Sequence, residues 1–144
     1  EANTCSGIES VMRELLTERG GLDIVFIDHP QEVLPEVANK GAKRHYQLEV
    51  ILQDIRRLAR EYNIPVVLAA QIGRDTEKND REPTIADLKD SGSIEQIADV
   101  VLILHGKRGE DRRIAHIAKN REGVCKKIAL HLQGEILRLE EKEG

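Results

Sequence analysis

Apolar positions near the start of the chain recur at helical spacing. Ile8, Val11, Met12, Leu15 and Leu16 share one face of a 3.6-residue period. Ser6 and Glu9, three apart, have the spacing of a capping box and predict the start of this helix. Gly20 and Gly21 end it. The run Ile24, Val25, Phe26, Ile27 is short and continuous, and predicts a strand over about Leu22 to Asp28. Residues 29–44, HPQEVLPEVANKGAKR, combine two prolines and a glycine with little periodicity, and read as a long loop. Leu48, Ile51, Leu52, Ile55, Leu58 and Ala59 then mark an amphipathic helix over roughly 45–61. IPVVLAAQ is a second strand, ending at Gln71.

The second half begins with a polar loop, IGRDTEKNDREP, residues 72–83. Thr84 with Asp87, and Ser93 with Gln96, each have capping-box spacing and predict short helices. ADVVLILH is a third strand, with the continuous apolar run of a sheet covered on both faces. GKRGEDRR reads as a turn. IAHIAKNR, CKKIALHL and EILRLEE follow as strands of a terminal meander, with turns near Gly123 and Gly134. Strand, helix and strand over 22–71 form a βαβ unit with parallel strands and a right-handed crossover. The expected class is α/β: a mainly parallel sheet flanked by helices, with a C-terminal antiparallel meander, in one domain over 1–144.

Composition narrows the chemistry. The chain has 144 residues and a net charge of −4, which argues against a generally basic nucleic-acid binder but leaves room for a local phosphate site. Phe26, Tyr46 and Tyr62 are the only aromatic residues, too few for a base-stacking platform. Cys5 and Cys125 lie far apart in sequence and read as reduced thiols of a cytoplasmic protein. The five histidines show no zinc spacing. No apolar run approaches the ~20 residues that span a membrane. The chain starts at Glu1 and its only methionine is Met12, so a piece of a longer protein is expected.

Three places could carry chemistry. Parallel strands end at one sheet edge, where open α/β sheets bind ligands, and that edge would hold Asp28 and Gln71. A carboxylate there can hold Mg²⁺, and an amide beside it can donate to a terminal phosphate or orient a water. A loop cap and an ordinary polar strand end explain the two residues equally well. The matching phosphate loop is missing, because no G-x-x-x-x-G-K-[ST] occurs in the sequence. In AKNREG, Lys119 and Arg121 would share a face if the strand ran on to Arg121, and two cations there suit a phosphate. Pattern alone favours a solvated basic edge. Ser91, Gly92 and Ser93 stand at a helix joint, which is either a simple connection or an anion site.

In combination the motifs are more specific. GGLDIVFIDHPQ, LAREYNIPVVLAAQIGR, DLKDSGSIEQIADVVLIL and IAKNREG occur in this order from about Gly20 to Leu139. They closely resemble the C-terminal RecA-like ATPase domain of DnaB-type replicative DNA helicases. The resemblance implies a partial RecA-like fold in a hexameric ring that moves on single-stranded DNA using ATP and Mg²⁺. Asp28 would be the Walker B acid, holding Mg²⁺ through water, and Gln71 the γ-phosphate sensor. Lys119 and Arg121 would reach the nucleotide of the adjacent protomer, with Arg121 as the arginine finger. Residues 29–44 and 72–92 would be central-channel loops, and Lys89, Asp90 and Gly92 would contact the DNA backbone. Primase and a helicase loader are the partners implied.

Two departures stand out. Asp28-His29-Pro30-Gln31 replaces the family's usual Asp-Tyr-Leu-Gln, and Asp90 replaces a more usual Glu. The family's phosphate loop, catalytic glutamate and N-terminal collar would precede residue 1, so the chain alone is expected to be inactive. A non-catalytic RecA-like module for subunit interaction or regulation is the alternative. A recombinase or clock-type relative is a third reading.

Overall fold

Thr4, not Ser6, starts the first helix. Helix α1 spans Cys5–Arg19, and Thr4 before it is extended, with its side chain accepting from the Gly7 N–H at 3.1 Å. An extended residue whose oxygen reaches the first-turn amides is what an N-cap requires. Ser6 is already helical, so the predicted capping box is displaced. The helix ends at Gly20, whose φ of +72° suits a residue without Cβ.

The computed structural model describes residues 3–36, 40–73, 81–88, 91–107 and 109–141. It comprises two units, Glu1–Gln71 and Ile72–Gly144. In the first, strand β1 covers Val25–Asp28, helix α2 Arg44–Glu61 and strand β2 Val66–Ala69. The strands pair in parallel, from Val25 opposite Val66 to Asp28 opposite Ala69. Val25, Ile27, Val66 and Leu68 face a core built from Cys5, Met12, Val33, Ile51, Ile55 and Leu58. The opposite face carries Val67 and Phe26, which is 70% exposed.

The predicted loop 29–44 is more structured than its prolines suggested. Pro30–Glu32 form a 3₁₀ turn with the proline near its start, where a missing N–H is harmless. Val33 is buried in the core, and Leu34 bridges to Thr4. Residues 37–39 lie outside the described part.

Glu9, free of any capping role, joins α1 to the end of α2. Its carboxylate accepts from Arg13 at 2.6 Å, from Arg57 at 3.3 Å and from the Tyr62 hydroxyl at 3.0 Å. These donors, Arg13 first, hold the Glu9 carboxyl below the usual range. Cys5 and Cys125 are both free. Burial, with Asp54 and Glu36 adding to it, pushes the Cys5 thiol up to about 12, so it is inert packing.

In the second unit, a 3₁₀ turn at Ile85–Asp87 has the predicted capping box of Thr84 and Asp87. Arg81 grips the same Asp87 and, with the Thr84 amide, holds that carboxyl well below its ordinary value. Helix α3 spans Ser91–Ile97, beginning two residues before the predicted box, so Ser93 is interior and does not cap it. Strands β3 (Val100–His105), β4 (Arg112–Asn120), β5 (Lys127–Gln133) and β6 (Arg138–Glu141) form an antiparallel sheet in that order.

β3 was expected to be covered on both faces, and it is covered on one. Val101 and Ile103 are buried, while Val100 and Leu102 are 56% and 60% exposed. Opposed residues of an antiparallel pair share a face. Leu102 with Ile117 and Leu104 with Ala115 and Ile128 therefore make one continuous apolar surface. An apolar run registers two hydrophobic faces, but not what covers them. Among the described residues no helix is long and apolar enough to cross a membrane.

Candidate functional site: a strand-end acid and amide, and a tethered cation pair

The βαβ unit delivers Asp28 and Gln71 to one edge, as the spacing predicted. Asp28 is the last residue of β1 and is exposed. Its register partner is Ala69, and exposed Gln71 follows two residues later. The amphipathic face of α2 makes this possible. Leu48, Ile51, Leu52, Ile55 and Leu58 are all buried, which returns the chain beside β1 in parallel.

Past Asp28, the His29 carbonyl accepts from the Glu32 amide at 3.0 Å, closing the 3₁₀ turn. Arg44 donates to the Gln31 carbonyl and so ties the turn to the start of α2. Beside it lies a groove of about 460 Å³ between α1 and β1. Its walls are apolar, among them Ile8, Val11, Leu15 and Phe26, and Asp28, His29 and Glu32 lie at one side.

In the second unit, the base of the loop after Gln71 is closed. Ile72 pairs with Leu88, and the Gly73 amide donates to the Asp87 carbonyl at 2.7 Å. Lys127 forms an ion pair with Glu82, which attaches this loop to β5. Burial lowers the affinity of nearby His105 for its proton. Of the expected DNA-contact residues, Lys89 and Asp90 lie outside the described part. Gly92 is the second residue of α3, and a Cβ there would meet nothing within 4 Å.

Lys119 and Arg121 are close in sequence but not arranged as expected. β4 ends at Asn120, so Arg121 is not a strand residue. A bulge also intervenes: Val101 pairs with Lys119, whereas Leu102 pairs with Ile117, which passes over Ala118. Bulges re-aim side chains, and this one turns Lys119 to the face of buried Val101. There Lys119 donates to the Glu95 carbonyl of α3. Arg121 is held through its backbone N–H, which donates to the Asp99 carbonyl at 2.9 Å, and through an ion pair of 2.5 Å with the Asp99 carboxylate. In the turn beyond, a Cβ on Gly123 would stand 2.5 Å from the side-chain Nδ2 of Asn120, so that side chain packs directly over the glycine.

Asp99 and Glu95 went unnoticed in the sequence, although a signal for Asp99 existed. In an antiparallel hairpin, the residue before the first strand lies beside the residue after the second. Asp99 and Arg121 occupy those two positions.

Residues 1–141 match the family model of the DnaB-like helicase C-terminal domain. The chain is 35% identical over 131 residues to the replicative DNA helicase DnaB of Treponema pallidum, covering 91% of the chain and 29% of that protein. Among solved structures, an ATPase domain superposes with a TM-score of 0.85 at 28% identity, over 98% of this chain and 52% of that one. A DnaB-like replicative helicase studied for its interactions with primase gives 0.78 at 28% identity, over 92% and 33%. The chain thus spans less than a third of the DnaB relative and about half of the solved ATPase domain. Its parallel strand edge, its antiparallel meander and its ordered motifs are those of one family, and the chain belongs to the DnaB-like helicase C-terminal domains.

Proposed function

We propose that this chain is the distal half of the ATPase domain of a replicative DNA helicase, which couples ATP hydrolysis to movement along single-stranded DNA and to duplex unwinding. The parallel pair β1–β2 carries this reading, because it brings Asp28 and Gln71 to one strand edge in a chain of this family. The two units then belong to a single ATPase domain, and the open apolar surface beside Leu102 is covered by the part of that domain outside this chain.

An exposed carboxylate suits Mg²⁺, which keeps several waters and takes one or two protein carboxylates. Among the described residues no cluster of three or more metal-type side chains competes for another ion. When bound, the ion would neutralise charge on the phosphates of ATP. Asp28 would hold it through water. Gln71 would orient on the γ-phosphate and pass its state to the loop that follows, whose base is closed by the Ile72–Leu88 pair.

Lys119 and Arg121 serve the nucleotide of the adjacent protomer in a hexameric ring, with Arg121 as the finger. Lys89, Asp90 and Gly92 follow the DNA backbone. The enzyme is cytoplasmic, and primase and a loader are its partners. The structural relative described with primase supports the first of these.

The test is strand separation of a forked DNA duplex by the full-length protein with ATP and Mg²⁺. Unwinding is expected. A protein that neither unwinds the fork nor responds to single-stranded DNA would instead be a subunit-interaction or regulatory module.

A further inference from the structure

We propose that Asp99 is the positioning residue for Arg121, holding its guanidinium ready for the neighbouring protomer's phosphate. The inference rests on the helicase reading of Arg121 and extends it to a residue with no role there so far.

The two cations of AKNREG are held in different ways. Lys119 donates to a neutral carbonyl, that of Glu95. Arg121 meets a full negative charge, and its main chain is tied to the same residue. Its backbone N–H is fixed to the Asp99 carbonyl at 2.9 Å, and its Nη1 stands 2.5 Å from the Asp99 carboxylate. The main-chain bond sets the separation of the two residues, so the side chains meet with little further ordering.

Position explains why such a tether is needed. Arg121 lies just past the end of β4, on the turn that follows. Asp99 lies at the joint between α3 and β3. A long flexible side chain on a turn is thereby oriented from the start of the strand that pairs with β4.

The tether leaves Arg121 able to work. A guanidinium carries five N–H donors and a carboxylate engages at most two of them, so donors remain for a phosphate. The side chains are 43% and 62% exposed, and an ion pair this open adds little to stability. Its value is in orientation. Misplacing a catalytic group slightly lowers turnover far more than it lowers binding.

The experiment is ATP turnover by the full-length protein with single-stranded DNA, measured against ATP concentration. Asp99→Asn should lower kcat about tenfold and leave KM within about twofold. Asp99→Glu, which keeps the charge at a changed reach, should recover part of the loss. In an Arg121→Ala background, Asp99→Asn should cost nothing more, because the group it positions is gone. Thermal unfolding should be the same for Asp99→Asn and the wild type, and Asp99→Glu keeps the test open if Asp99→Asn folds poorly. Wild-type kcat for Asp99→Asn, or its full loss persisting without Arg121, would overturn the proposal. If Arg121→Ala itself keeps its turnover, the finger reading fails and this inference falls with it. If Arg121→Ala is inactive and Asp99→Asn is unchanged, this inference alone falls.

Discussion

Arg121→Ala should lower ATP turnover of the full-length helicase by roughly 10³-fold or more, the contribution expected of an arginine finger. The guanidinium would stabilise charge that grows on the transferred phosphoryl group, so its removal acts on the transition state more than on ATP binding. kcat should therefore fall while KM changes little. Stability should hardly move, since Arg121 is half-exposed and lies on a turn beyond β4. Steady-state turnover and a melting curve on the same sample separate the two effects. Turnover close to wild type would assign Arg121 to a solvated basic edge, the reading that residue pattern favours on its own.

The chain by itself should not turn over ATP at all. It carries the proposed acid, sensor and finger, but its sequence has no G-x-x-x-x-G-K-[ST]. That loop's backbone amides and lysine cradle the phosphates, and without them ATP is not placed against Asp28. Phosphate release from the purified chain, with Mg²⁺ and single-stranded DNA, checks this. Robust turnover that disappears in Asp28→Asn would show that the phosphates are seated by other residues of this chain.

Much of this architecture could be read from residue order. The amphipathic stripe of α2 was unambiguous, because Leu48, Ile51, Leu52, Ile55 and Leu58 recur at helical spacing and all are buried. The strand before it and the strand after it followed from length and topology, and with them the shared edge of Asp28 and Gln71. Short elements were harder. Ser6 and Ser93 both have capping-box spacing, yet both lie inside helices, since spacing says nothing of which residue is extended. Pro30 and Pro35 suggested an open loop, whereas one 3₁₀ turn and the burial of Val33 fold its start onto the core.

The cation pair shows a different limit. Alternation puts Lys119 and Arg121 on one face only if the strand runs on to Arg121, but β4 stops at Asn120, and a bulge at Ala118 sets which face Lys119 takes. A bulge has no signature in a run as regular as IAHIAKNR. The partners Glu95 and Asp99 are distant in sequence, and only the pairing of β3 with β4 brings Asp99 beside Arg121. The one-sided covering of β3 was hidden for a related reason. VVLIL reads the same whether its second face meets a helix of its own chain or another segment.

The central claim is that Asp28 is the Mg²⁺-holding acid of an ATP-driven helicase. The most direct measurement is Mg²⁺-dependent ATP turnover by the full-length protein, wild type against Asp28→Asn, with single-stranded DNA present. The account predicts DNA-stimulated turnover in the wild type and its collapse in the variant, with the fold intact by circular dichroism. Equal turnover in the two proteins would contradict it and leave Asp28 as the cap of a loop.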